Sequence, residues 1–329
     1  MLLGRSLTQN ILVIGSVYLD INASGFPFRT GLLAEQEIVG GQYQAIPGGS
    51  AANFSGVTKA LGMRPILVAK TGTDAVGQLL GQLLVQNVTE LDLIQAEDVA
   101  TNIGINVVNQ AGHRVMVVLG TANQSLAPEE ISSRLEKHVS RSDFLYLGGY
   151  FKLKSLRSFF PAIVQNAQQA GLSVIIDHGR VTNVVSKSEV RLLRSLLKQL
   201  SGADYYLPAE KEFLEVFEAP NLESGLTAFR RISPATVVVK QARRGATGMR
   251  APTIIHVPAY PVKPHDTAGA GDAFNAGFVK AQAEAKAFEE SIRFANAAAA
   301  VKISRPGDLT IGNIEELAGI RISLHKDHP

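Results

Sequence analysis

Short apolar runs of strand length alternate with stretches of helical periodicity along most of the chain. Residues 11–17 read as one buried strand, and similar runs centre on 66–68, 144–147, 174–176, 205–207 and 237–239. Runs that are apolar at consecutive positions, without polar alternation, suit strands covered on both faces. Between them lie helical patterns at 76–85, 128–139, 156–170, 189–200 and 222–232, then two alanine-rich ones at 271–284 and 288–303. Another helix opens at Pro47-Gly48-Gly49-Ser50-Ala51-Ala52-Asn53 and reaches Leu61. This alternation predicts an α/β fold, a mostly parallel sheet with helices on both faces.

Two segments break the alternation, 21–46 and 101–119, and both read as β excursions. In the second, Asn102 to Val108 and His113 to Leu119 alternate around Asn109-Gln110-Ala111-Gly112, a glycine-containing turn of hairpin length. The excursions are expected to assemble into one small sheet over the C-terminal strand ends, a lid that shields a reaction from water. Residues 1–20, 47–100 and 120–329 would then form the large domain, with 21–46 and 101–119 as the lid.

Chemistry enters at Asp266-Thr267-Ala268-Gly269-Ala270-Gly271-Asp272-Ala273-Phe274-Asn275, a glycine-rich turn that runs into an apolar helix. Small residues let backbone N–H groups face inward, and the helix N-terminus adds partial positive charge, so such a turn suits a transferring phosphoryl group. Asp272 stands where a base is needed to take the proton of an attacking hydroxyl. The turn is not a P-loop, because no Gly-Lys-Ser/Thr follows, and it lies too late in the chain for a dinucleotide fingerprint. A close strand-to-helix connection is the alternative reading of the glycines alone.

With Gly15-Ser16-Val17-Tyr18-Leu19-Asp20 and the Gly-Gly…Asn helix start, this turn resembles the PfkB carbohydrate kinase, or ribokinase-like, family. Lys70-Thr71-Gly72-Thr73-Asp74 with Gly77 is similar to the family's Gly-x-Asp-x-x-Gly turn, and the resemblance extends over residues 11–317. It implies a three-layer fold with a small β-sheet lid, and ATP and Mg2+ as cofactors. It also implies Asp20, Gly48, Gly49 and Asn53 as substrate ligands, Gly269, Ala270 and Gly271 as an anion hole, and Asp272 as the base. In relatives the lid sheet pairs with that of a second subunit, so a homodimer is expected.

The nucleotide and metal positions match in part. In Val237-Val238-Val239-Lys240-Gln241-Ala242-Arg243-Arg244-Gly245, Lys240 and Gly245 fit the family's nucleotide-binding stretch, whereas Gln241 and Ala242 depart from it. Asn296 matches a residue bordering the base pocket; a polar residue on an exposed helix face is the alternative. In Pro208-Ala209-Glu210-Lys211-Glu212, Glu212 matches the glutamate of an Asn-x-x-Glu pair that orders Mg2+, but Ala209 replaces the asparagine. A carboxylate at a helix start also has a purely structural reading. Asp266 and Thr267 are implied ligands of a monovalent cation (K+), with carbonyls from 304–308; Asp266 as a turn cap is the alternative.

Composition excludes several other classes. The chain has 329 residues, 46% hydrophobic and 19% charged, enough to bury a large core. Its net charge of +3, from 32 basic and 29 acidic residues, comes without a basic run, which argues against nucleic-acid binding. No apolar stretch approaches bilayer length and residues 1–10 lack a signal-peptide core, so neither a membrane partner nor secretion is expected and the cytoplasm is the default. The absence of cysteine removes disulfides and thiolate chemistry, and the seven histidines show no metal-binding spacing.

Substrate identity is less explicit. Tyr18 and Gly148-Gly149-Tyr150-Phe151 occupy positions where ribokinase carries polar sugar ligands. Tyr150 is expected to stack on a sugar face or a nucleobase, or else to pack in the core. Arg180, beyond a strand end, is a candidate for an acidic substrate group or a salt bridge. The expectation is an ATP-dependent kinase for a primary hydroxyl of a small sugar or sugar derivative. The alternatives are a nucleoside kinase and a non-catalytic sugar-binding protein with the same fold.

Overall fold

The computed structural model describes residues 9–26, 41–109, 114–180, 185–304 and 311–318. Strand β1 (Asn10–Gly15) passes into β2 (Tyr18–Phe26), and β3 (Gln42–Gly48) leads into α1 (Ser50–Ala60). Next come β4 (Arg64–Gly72), α2 (Ala75–Asn87), β5 (Glu90–Ala96), β6 (Ile103–Asn109), β7 (Arg114–Leu119) and α3 (Pro128–Val139). The middle holds β8 (Phe144–Gly148), α4 (Phe160–Gln169), β9 (Ser173–Asp177), α5 (Lys187–Leu197) and β10 (Tyr205–Tyr206). Helices α6 (Glu210–Phe217) and α7 (Leu222–Arg230) precede β11 (Thr236–Lys240), β12 (Ala246–Arg250) and β13 (Thr253–Val257), followed by α8 (Ala270–Ala283), α9 (Phe288–Ser304) and α10 (Ile311–Ala318).

Among the described residues nine strands form the central sheet, in the order β13-β12-β11-β10-β9-β8-β1-β4-β5. It is parallel from β11 to β5, and β12 alone runs against the rest, pairing antiparallel with β11 on one side and β13 on the other. The apolar run of β1 is explained by its two faces. Leu12 and Ile14 pack with Leu145, Val174 and Val237 under α3 to α7, while Ile11 and Val13 pack with Tyr146, Ile175 and Val238 under α1, α2, α8 and α9. The predicted α/β architecture is therefore present. Sequence periodicity passed over β5, β12 and β13. β5 and β13 lie at the two edges, where partial burial leaves mixed patterns such as Glu90-Leu91-Asp92-Leu93, and β12 is a short buried strand of small and polar residues, Ala246-Thr247-Gly248, beside β13.

Among the described residues the second sheet has four strands, in the order β3-β2-β6-β7. β2 pairs antiparallel with β3 and parallel with β6, and β6 pairs antiparallel with β7. The two excursions thus meet in one sheet. Residues 27–40 of the first and Gln110 to Gly112 of the hairpin turn lie outside the described residues. Asp74 ties the sheet's base to the large unit: it caps α2 by accepting from Gly77 N at 2.7 Å and accepts from Thr101 N at 2.8 Å.

Candidate active site

The glycine-rich turn folds into the N-terminus of α8. Gly269 is its N-cap at φ 72°, a left-handed conformation that costs a residue with a Cβ about 1 kcal/mol or more, and its carbonyl accepts from Ala273 N at 2.9 Å. Asp272 then falls in the first helical turn, where the helix dipole favours a negative charge. Its Oδ2 accepts from Asn53 Nδ2 at 2.9 Å, across from the first turn of α1. Burial, and next the negative charge of Asp177, push the Asp272 carboxyl up to about 7, against the Asn53 hydrogen bond and the Lys240 charge, which lower it.

Behind Asp272 lies a buried polar network at the C-terminal ends of β9 and β11. Asp177, the last residue of β9, accepts from Lys240 Nζ at 2.9 Å, from Asn275 Nδ2 at 2.5 Å and from Gly179 N at 2.9 Å. Burial opposes its charge, but the Lys240 ammonium, His178 and the Gly179 N–H together outweigh it and hold the carboxyl below its usual range. Lys240 Nζ also donates to Asn275 Oδ1 at 3.0 Å, and Asn275 Nδ2 donates to the Tyr146 hydroxyl at 3.2 Å. Of Asp177, Lys240 and Asn275, only Lys240 is among the site residues expected from the sequence. Asp177 was findable as a carboxylate ending the apolar strand Val174-Ile175-Ile176.

Asp20 projects from β2 into a slot on the small sheet. A Cβ placed on Gly48 of β3 would stand 2.0 Å from its Oδ2, and one on Gly104 of β6 would stand 2.2 Å from its Oδ1. The glycines on the two flanking strands therefore make room for this carboxylate. Gly104 was missed by sequence reasoning, although a glycine inside a strand pattern marks just such a close approach. Gly48 and Gly49 lead directly to α1 and Asn53, so the slot and the base are joined by one short stretch of chain.

The remaining expected residues divide. Gly245 and Asn296 converge on the end of β13. A Cβ on Gly245 would meet Val257 O, and Asn296 Nδ2 donates to Val257 O at 3.0 Å and Pro258 O at 3.2 Å. Asn296 is buried, which corrects the exposed-face alternative. Ala242 adopts φ 51°, so the left-handed geometry suited to glycine persists with an alanine in place. Glu212 lies on the first turn of α6 and accepts from Ala209 N at 3.3 Å; burial and then Asp177 raise its carboxyl. Asp266 caps its turn through Ala268 N at 2.9 Å, and Thr267 O accepts from Ala270 N. Of the expected cation-binding carbonyls at 304–308, those of 305–308 lie outside the described residues.

Tyr150 requires a correction. Its side chain is 1% exposed and its ring packs against Phe151 and Phe160, so it presents no face to a ligand. Tyr18 is likewise buried, and its hydroxyl is pushed up to about 12, chiefly by that burial. Arg180 is exposed and forms no ion pair among the described residues.

A central parallel sheet with a carboxylate at a helix N-terminus beside it, and a second small sheet over one end, defines a ribokinase-like fold. Residues 8–314 match the model of the pfkB family carbohydrate kinases, and the chain belongs to that family. It is 25% identical to the ribokinase of Bacillus subtilis (strain 168), covering 94% of this chain and 99% of that one. It is 28% identical to the bifunctional protein HldE of Bradyrhizobium sp. (strain ORS 278), over 93% of this chain but 62% of that longer protein. The structure of Arabidopsis thaliana ribokinase complexed with ribose and ATP superposes with a TM-score of 0.77 at 23% identity, over 95% of this chain and 99% of that one. An E. coli putative ribokinase II in complex with ATP and Mg2+ gives 0.76 at 20% identity, over 96% and 100%. Both structural likenesses concern the fold. Among the described residues no helix is long and apolar enough to cross a membrane.

Proposed function

We propose that this protein transfers the γ-phosphate of ATP to a primary hydroxyl of a small sugar or sugar derivative. The observation that carries the reading is Asp272, held by Asn53 at the open start of α8 with its carboxyl raised to about 7. A base is most effective when its pKa lies near the working pH. Asn53 orients the carboxylate, and the backbone N–H groups of Gly269, Ala270 and Gly271 form the anion hole. Asp20, Gly48 and Gly49 recognise substrate hydroxyls, since the glycines seat the Asp20 carboxylate in a fixed place from which it can accept hydrogen bonds.

ATP fits this arrangement, because a helix N-terminus entered through a left-handed glycine is suited to phosphate oxygens. Gly245 and Asn296, with Lys240, border the nucleotide in this reading. Magnesium would supply charge neutralisation at the phosphates. Among the described residues no three His, Cys, Asp or Glu side chains gather to hold a metal, so nucleotide oxygens and water would supply most of its ligands, with Glu212, whose carboxyl is influenced by the charges of Asp177 and Lys240, as the candidate protein ligand. The four-stranded sheet serves as a lid, and its edge strand β7 is the surface through which a homodimer would form.

The buried rings of Tyr18 and Tyr150 remove the observation that motivated a nucleoside substrate. The test is ADP formation with a panel of sugars and nucleosides. Turnover with sugars supports the reading, turnover with nucleosides alone overturns the substrate class, and sugar binding without any turnover favours the non-catalytic alternative.

A further inference from the structure

One cation at the site has no assigned task beyond lining it. Lys240 ends β11, and its ammonium is held from two sides, by Asp177 Oδ2 at 2.9 Å and Asn275 Oδ1 at 3.0 Å. An ammonium carries three donors, and these partners use two. Asn275 is itself fixed, because its Nδ2 donates to both Asp177 and Tyr146, which turns its oxygen toward Lys240. A Cβ on Gly271 would lie 3.5 Å from Lys240 Nζ, so the ammonium borders the first turn of α8 with no side chain between. The β-bridge partner of Lys240 is Ala209, whose methyl group offers no donor.

We propose that Lys240 is the fixed cation of the anion hole, positioned by Asp177 and Asn275 so that its third N–H meets an oxygen of the transferring phosphoryl group. This inference rests on the kinase reading above. A charge already held in place needs no reorganisation as the transition state forms, which is the condition under which such groups contribute most. Its location beside Ala209 supplies a donor where that residue has none. Asp177 and Asn275 act through Lys240 and are positioning residues.

Removing Lys240 alone leaves the Asp177 charge buried and unpaired, which destabilises the chain whatever its role. The experiment therefore compares Lys240→Met with the double variant Asp177→Asn/Lys240→Met, in which the pair is removed together. Two quantities are measured: kcat with the best sugar of the panel, and the ratio of ATP to ADP affinity by titration calorimetry. The expected result is a loss of about 10²- to 10³-fold in kcat in both variants. A fall of about tenfold or more in the preference for ATP accompanies it, with the sugar KM unchanged. A double variant that regains wild-type kcat, or an ATP-to-ADP ratio unchanged from wild type in both, makes the pair purely structural and overturns the proposal. If the wild-type chain turns over no acceptor, the kinase reading fails, and the affinity ratio alone then decides whether Lys240 meets the terminal phosphate.

Discussion

The two sheets hold their polar groups under opposite conditions. In the nine-stranded sheet both faces are covered, and Asp177, Lys240, Asn275 and Tyr146 form a network in which each buried group has partners. In the four-stranded sheet the edge strand β7 leaves Val115, Met116, Val117, Val118 and Leu119 all exposed, and Asp20 sits between the bare backbones of Gly48 and Gly104. Groups that must present charge in a fixed geometry lie where packing forbids movement. Asp20, the carboxylate proposed to recognise the substrate, lies on the sheet with the exposed edge, the kind of element from which lids and binding elements are drawn.

The sharpest way to break this division is at the packed end. Asp272→Asn keeps the shape and the approach of Asn53 but removes the proton acceptor, and kcat is expected to fall by about 10² to 10⁴. Sugar affinity should stay within a few-fold, because recognition is assigned to the other sheet; steady-state kinetics with calorimetric sugar binding checks both. A variant that loses sugar affinity as severely as turnover would merge the two regions into one functional unit.

A smaller effect is expected at the slot. Asp20→Ala leaves substrate hydroxyls unpaired, and Gly48→Ala drives a methyl group into the Asp20 carboxylate, each costing about 1 to 3 kcal/mol of sugar binding. The readout is KM, raised with kcat little changed. A kcat loss at unchanged KM in both variants would place Asp20 in the chemistry instead.

The smallest effect on turnover is expected at the exposed edge. Val117→Lys puts a charge on β7, the device by which natural sheets block edge pairing. In solution-mass measurements a dimer should become a monomer, with kcat changed less than in either preceding case. Hydrogen exchange should show sugar and nucleotide protecting β2, β3, β6 and β7 together; protection of one excursion alone would mean that the sheet does not close as a unit.

Much of the fold was legible because its signals are local. The run at Ile11 to Gly15, the alternating hairpin strands and the Gly269-to-Asp272 turn each specify their conformation over a few residues. Tyr150 was misjudged because an aromatic residue after a strand end has the same local signature whether it faces a ligand or packs on Phe160. The ammonium of Lys240 could not be placed from sequence, since its partners Asp177 and Asn275 lie 63 and 35 residues away. Gly104 carried a readable signal, a glycine between two isoleucines in a strand, whose meaning depended on Asp20 in the neighbouring strand.

The pH dependence of kcat tests the central claim, that Asp272 is the base, most directly. A carboxylate accepts the proton only when ionised, and burial raises the Asp272 carboxyl to about 7. Turnover should therefore fall about tenfold per unit as pH drops below that value, and level off above it. The Asn53 hydrogen bond favours the ionised form, so Asn53→Ala should move the midpoint upward. A wild-type kcat that stays flat down to pH 5, or a midpoint that moves downward in Asn53→Ala, would contradict the assignment.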